Sequence, residues 1–499
     1  MNKILRMQRS RDRWKSKATN RAEQLREFRK TKARQQRKIE SLQERSNTLE
    51  EQLSQEKKPS PQDTKVVSLH EATQTRTVCL ILVLQAVVSF RAVPRILRLL
   101  CAMGHLSLRW VPHFTSVINW TLRLGLAALN PVAPSATPWL AIIDHSIDIG
   151  VKKALVVLRV PIEALARRGS AIQLEDCECI GLRVSEHTDG ETVAGALTEI
   201  FGFAGEPVAI VKDGGSDLGK GVALWKQREG KKFVWNIEDI GHVMANVLKA
   251  QFEKTAAYQR FIALIYKGAA RLRQTPLAFL IPPKLRTKGR FQSISKLGAW
   301  AEKILTALAI RGRAEPHSAL AKLRVAMPGL AGLRPFIERF ACTVQIVAEV
   351  LEILKNKGLN QQTYAQCRQL AEKLPPRSKA KKRLVDWLNR HLHVQCRLGI
   401  SPLPLLVSSD IIESLFGKFK HIIERSPQAD MNRTTLLIPA LCGQVDAQAI
   451  AHALAHTTHR DLQRWEQQHI PYTLRQRRRA FFDAFVDQKP GIPEFLYDT

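Results

Sequence analysis

The spacing of apolar positions along this chain changes several times, and each change predicts a different element. From residue 1 to 58 there is no Pro or Gly, and the sparse apolar residues recur three to four apart. Leu25, Phe28, Ile39, Leu42, Leu49 and Leu53 share one stripe with Lys32, Gln35 and Ser46, the a/d pattern of a weak coiled coil. A basic coiled-coil-like helix is therefore expected over 1–58, ended by Lys58-Pro-Ser-Pro. Residues 59–130 read as a small helical domain. The run Val78–Val88 predicts a buried helix, and Val93, Ile96, Leu97 and Leu100 form the stripe of a second. A turn at Gly104 leads to a third, Pro near its start and Gly125 at its end, with Phe114, Val117, Ile118 and Leu122 inward. That arrangement leaves His113, Thr115, Ser116, Asn119 and Arg123 on the open side of a helix-turn-helix.

After the Pro-rich stretch at 130–138 the period shortens to that of strands. Trp139–His145, Lys153–Val160 and Ile172–Val184 predict three strands, the third exposed on one side. Asp189 caps a helix, Pro207–Lys212 is a buried strand, a short helix runs through Leu224, Lys232–Ile237 is a strand, and another helix starts at Asp239. The order β-β-β-α-β-α-β-α is similar to the ribonuclease-H-like fold, three antiparallel strands continued by parallel ones. An α/β core is thus expected over 131–245, an all-helical insertion over 246–405, the last core helix over 406–440 and a basic helical region over 441–499.

Charge decides the class of partner. The chain has 77 Lys+Arg against 45 Asp+Glu, a formal net charge of +32, with 45% hydrophobic residues. So apolar a chain is not disordered, and so basic a chain is drawn to a polyanion, with double-stranded DNA the expected partner. Arg475, Arg477, Arg478 and Arg479 in the tail are candidate phosphate contacts. No apolar run is long enough to span a membrane, so no membrane partner is expected. The basic N-terminus lacks a signal-peptide core, so the expected location is cytoplasmic, with the nucleoid when DNA-bound. The eight Cys form no CxxC pair, and His391, His393 and Cys396 read as ordinary helix residues rather than zinc ligands.

Three carboxylates carry the candidate chemistry. Asp144 is expected to end the first strand and Asp213 the fourth, strands that neighbour one another in such a sheet, while Glu413 opens the helix Ser409–His421. Their rivals are Asp148, Asp217, Asp410 and Glu424. Three carboxylates without His or thiolate suit Mg²⁺ or Mn²⁺. Two such ions about 3.5–4 Å apart activate a water or 3′-hydroxyl and stabilise the leaving oxygen.

The segments Trp139-Leu-Ala-Ile-Ile-Asp144, Val211-Lys-Asp213-Gly-Gly-Ser and Glu413-Ser-Leu-Phe-Gly-Lys-Phe-Lys420 resemble the three catalytic blocks of DDE transposases from bacterial insertion sequences. Phe90–Leu97 and Val117–Leu126 look like the helix-turn-helix those enzymes carry upstream, and the helical insertion is similar in layout to that of the hAT superfamily. The resemblance spans roughly 85–440. It implies a two-metal site on Asp144, Asp213 and Glu413, contact of Lys420 with DNA near the cut, and a role for His242 of Asp239-Ile-Gly-His. It also implies cleavage at element ends, strand transfer into a target, and work as a homo-oligomer. A structure-specific nuclease of the same fold and a non-catalytic DNA-binding protein are the alternatives.

Overall fold

The computed structural model describes residues 69–486, apart from 107, 109, 130–133, 148–151, 232, 286–290, 424–431 and 471, together with residues 36 and 41. The coiled-coil stripe of 1–58 and the rivals Asp148 and Glu424 lie outside the described residues. Residues 1–72 and 73–499 form two compact units, and the second holds the sheet and the carboxylates.

Five strands make one mixed sheet: β1 (Trp139–Ile147), β2 (Lys153–Pro161), β3 (Glu178–Ser185), β4 (Ala209–Lys212) and β5 (Trp235–Glu238), in the order β3-β2-β1-β4-β5. β1 pairs antiparallel with β2 and β2 with β3, whereas β4 runs parallel to β1 and β5 parallel to β4. This is the order and direction expected of a ribonuclease-H-like core. One expectation fails locally, since the third strand starts at Glu178 rather than near Ile172. The Asp176 carboxylate accepts the Gln173 N–H at 2.9 Å and pairs with Arg168 at 2.9 Å, closing a turn before the strand can begin.

Both faces of the sheet are covered, which is why β1 and β2 read as nearly continuous apolar runs. Trp139, Ala141 and Ile143 pack with Phe201 of α5 (Gly190–Ala204) and Trp225 of α6 (Ser216–Arg228). Here α1 is Leu69–Leu84, α2 Ala92–Ala102, α3 Phe114–Leu129 and α4 Ile162–Arg168. Leu140 and Ile142 belong to the opposite core, with Leu122 of α3 and Leu415 further along the chain. α1 buries Cys79, Leu80, Val83 and Leu84, and stops there because Val87 takes a positive φ of 53°.

After β5 comes α7 (Ile240–Phe252), then a helical block: α8 (Ala256–Leu272), α9 (Ser295–Leu308), α10 (Ala319–Ala326), α11 (Arg334–Lys357), α12 (Gln361–Glu372) and α13 (Lys379–Arg397). Its junction with the sheet is polar. Both oxygens of Glu238 accept from Arg383 at 3.0 Å, Arg390 adds a contact at 3.0 Å, and the Trp387 indole donates to the Glu238 carbonyl at 3.1 Å. Trp387 is fully buried, and Trp300 donates to the Leu280 carbonyl at 3.0 Å. The chain then returns to the sheet as α14 (Asp410–Ile423), which packs on β1. The tail adds α15 (Leu437–Ala440), α16 (Ala447–His456), α17 (His459–His469) and α18 (Leu474–Val486).

The tail changes the meaning of α3. The expected reading helix buries Val117, Trp120, Thr121, Leu122, Leu124, Gly125 and Leu126, packed against β3, α15, α16 and α17. A Cβ on Gly125 would stand 1.8 Å from the Leu436 carbonyl oxygen, so the two backbones touch. Among the described residues, no helix is long and apolar enough to cross a membrane.

Candidate active site

Alternation along β1 decides which face each residue serves. Asp144 shares its parity with Leu140 and Ile142, so it faces α14; His145 faces α6. The last parallel pairs join Ile142 to Val211 and Ile143 to Lys212, so the next residues on the two strands are Asp144 and Asp213. Asp213 follows β4 directly, as expected. Asp144 does not end its strand, because β1 continues to Ile147 in register with Lys153 of β2. Glu413 lies in the first turn of α14, whose Ile412, Leu415, Phe416 and Phe419 are buried.

These carboxylates feel one another. The Asp144 carboxyl is pushed up to about 7, first by burial and then by the charge of Asp213, with Glu413 adding to it; only its hydrogen bond from the His145 N–H, at 2.7 Å, and the charge of His242 oppose this. Glu413 is also raised, by burial more than the attraction of His242 lowers it. Asp213 accepts the Gly215 N–H at 2.8 Å.

His242 stands beside Glu413, with Nε2 3.6 Å from Oε1 and the Gln292 side-chain amide 3.0 Å from the same nitrogen. On its other side Nδ1 lies 3.1 Å from Asp239 Oδ1, and this hydrogen bond, against the opposing effect of burial, raises the imidazole to about 9. Asp239 is buried, which alone would raise its carboxyl. The bonds and charge of His242 and the N–H of Ser409 outweigh that and hold it at about 2. Its second oxygen accepts both the N–H and the hydroxyl of Ser409, at 2.6 and 3.0 Å, just before α14 begins. Asp239 thus caps α7 and fastens the start of the helix that carries Glu413. The sequence pattern marks only a helix start at Asp239; the Asp-x-x-His spacing is the available signal for more, and the Ser409 contact, 170 residues away, has none.

The remaining rivals are committed elsewhere. Asp217 faces His145 at 3.4 Å and Lys153 at 3.5 Å across the other side of the sheet. Asp410 pairs with Lys355 of α11 at 2.6 Å. Lys420, two turns beyond Glu413, is half-buried. Beside the carboxylates opens a cleft of about 520 Å³ where α7, α11 and α14 meet, with His242, Glu413 and Lys355 among its polar lining and Val344, Val347 and Leu351 among its apolar one.

Oxygen donors with mutual repulsion suit a hard divalent cation in their chemistry. As the side chains stand, however, no group of three or more His, Cys, Asp or Glu among the described residues is gathered closely enough to hold one. The Glu413 carboxylate points to His242 instead.

The expected DNA contacts divide. His113 and Thr115 are exposed, 2.8 Å apart at Nδ1 and Oγ1, and Ser116 and Asn119 are half-buried. Arg123 is a correction: its Nε donates to the Thr457 carbonyl at 2.5 Å and its NH2 to that of Leu454, so it closes the end of α16 rather than facing solvent. Arg475 and Arg478 are exposed. Arg477 is a second correction, lying 3.7 Å over the Tyr472 ring with Glu186 3.5 Å away, while Arg479 pairs along its own helix with Asp483 at 3.4 Å. His391 spends both nitrogens on the Trp387 carbonyl and the Glu238 N–H, and His393 packs edge-on to Trp235, consistent with ordinary helix residues.

No family model matches this chain, and no curated protein does. Among solved structures it is similar to the Drosophila P element transposase strand transfer complex, at 12% identity over 78% of this chain and 92% of that one, with a TM-score of 0.36. A likeness that distant carries no argument about function.

Proposed function

We propose that this chain is a DNA transposase of the DDE class, one that cuts phosphodiester bonds at the ends of a mobile element and joins the freed 3′-hydroxyl to target DNA. The observation that carries the reading is the parallel register of β1 and β4, which sets Asp144 beside Asp213 on the face to which α14 brings Glu413. The net charge of +32 supports a polyanionic substrate. With the Glu413 carboxylate turned from His242 toward the two aspartates, Asp144, Asp213 and Glu413 would hold Mg²⁺ or Mn²⁺, which would supply charge stabilisation and an activated hydroxyl at a reacting phosphate. Of the chain's own groups, Asp239 and His242 orient Glu413, and Lys420 holds a DNA phosphate near the cut. Two or more protomers would bring two ends together.

The test is cleavage and joining of duplex DNA carrying the element's ends, with Mg²⁺, by the wild type and by Asp213→Asn. Cutting and joining that the substitution abolishes while DNA binding persists is the expected result. Cutting without joining would mean a nuclease of the same fold, and DNA binding without cutting in either protein a binding protein. Cleavage untouched by Asp213→Asn would overturn the choice of carboxylates.

A further inference from the structure

From residue 72 to 143 the chain contains six Arg, no Lys and no acidic residue. Three of those arginines, Arg91, Arg95 and Arg98, fall four and three positions apart at the start of α2 and along it, so they share one helix face. All three are exposed. Elsewhere a number of surface arginines pair with acids, such as Arg183 with Glu199, Arg228 with Glu191 and Arg334 with Glu338. On α2 there is no acid to answer them. A helix face that merely needs solvation usually interleaves both signs, and three like charges on adjacent turns repel one another. Such a stripe is costly unless an anion lies along it.

We propose that this arginine face of α2, with the exposed start of α3 beside it, grips the phosphate backbone of duplex DNA. The claim rests on the DNA reading above and gives the gripping role to α2, where the sequence pattern points to the open side of α3. The stripe runs for roughly 10 Å along the helix, about the axial length of three successive phosphates of one strand. Arg91 is set in place by Phe114, its guanidinium 5.3 Å from the ring centre, which ties the stripe to the beginning of α3. There His113 and Thr115 add exposed polar groups. The face uses Arg alone, whose planar fork matches phosphate oxygens in pairs. Leu99 and Met103, 61% and 64% exposed on the flank of α2, make an anionic bilayer the competing partner. Against a bilayer stands the shortness of the 11-residue helix.

The experiment uses the full-length chain and the double variant Arg95→Gln/Arg98→Gln, sparing Arg91 because it packs on Phe114. Binding of a fluorescein-labelled 30-base-pair duplex is followed by anisotropy across a salt series. The double variant should bind at least about 10-fold more weakly, and the slope of log affinity against log salt should fall by about two, one for each lost phosphate contact. Its circular dichroism should match the wild type and its melting temperature should equal or slightly exceed it, since both side chains are exposed and two repelling charges are removed. Arg95→Lys/Arg98→Lys should recover most of the slope. If the wild type binds no duplex, the functional reading itself fails. If it binds and the Gln variant keeps its affinity and slope, this proposal fails and the functional reading stands. Vesicles of 30% phosphatidylserine that capture the wild type but not the Gln variant, with DNA binding unchanged, would assign the face to a membrane surface and overturn the proposal.

Discussion

Two carboxylate sites sit near the ends of parallel strands in the same sheet, yet they are built on opposite principles. Glu238, the last residue of β5, is answered at every polar atom the junction offers: two arginines on its oxygens, an indole on its carbonyl and His391 on its N–H. Asp144, two strands away, has only the N–H of its neighbour and the pull of His242 to set against burial, Asp213 and Glu413. The first arrangement spends charge on holding the helical block to the sheet. The second leaves like charges crowded and partly desolvated, which destabilises the folded chain.

The contrast is sharpest if one side chain is changed at each site. Asp144→Asn should lower DNA cleavage by about 10³-fold or more while the melting temperature stays level or rises, because a repulsive charge is removed. A melting temperature several degrees lower would mean that Asp144 is structural and that the comparison fails. At the junction the signs reverse. Trp387→Ala should cost about 3–5 kcal/mol in a denaturant titration, by leaving a cavity and an unpaired Glu238 carbonyl.

The next effect comes from His391, which burial lowers to about 4. The folded state favours neutral imidazole, so its contribution is complete above the unfolded value of about 6.5 and is lost as pH falls from there toward 4. Between pH 7.5 and 5 this should remove about 2 kcal/mol. Urea midpoints at the two pH values should show a shallower dependence for His391→Asn; an unchanged slope would put the acid sensitivity elsewhere. Smallest is Glu238→Gln, which keeps the geometry but weakens two partly exposed arginine contacts. A loss near 1 kcal/mol is expected, with cleavage per folded molecule unchanged.

Much of this was legible in the chain because it is local. Lys153–Val160 is apolar enough to be a strand buried on both faces, and Asp189 and Asp239 stand where helix caps belong, each accepting an N–H three residues on. Expected at the ends of neighbouring strands, Asp144 and Asp213 were placed at one site, although β1 in fact runs on past Asp144 to Ile147. What misled was also local. Arg123 looked free because nothing in its neighbourhood covers it, and the carbonyls that take it up, those of Leu454 and Thr457, lie more than 300 positions later.

The sequence by itself determined the order of strands and helices, the charge that calls for a polyanion, and the residues able to do carboxylate chemistry, since each depends on composition or on neighbours a few residues apart. Only the tertiary structure decided which arginines stay free, that Asp217 and Asp410 are paired away, and that Asp239 reaches Ser409 to fix the helix of Glu413. Those outcomes depend on which distant segment fills the space beside a side chain, and a periodicity along the chain carries no record of that.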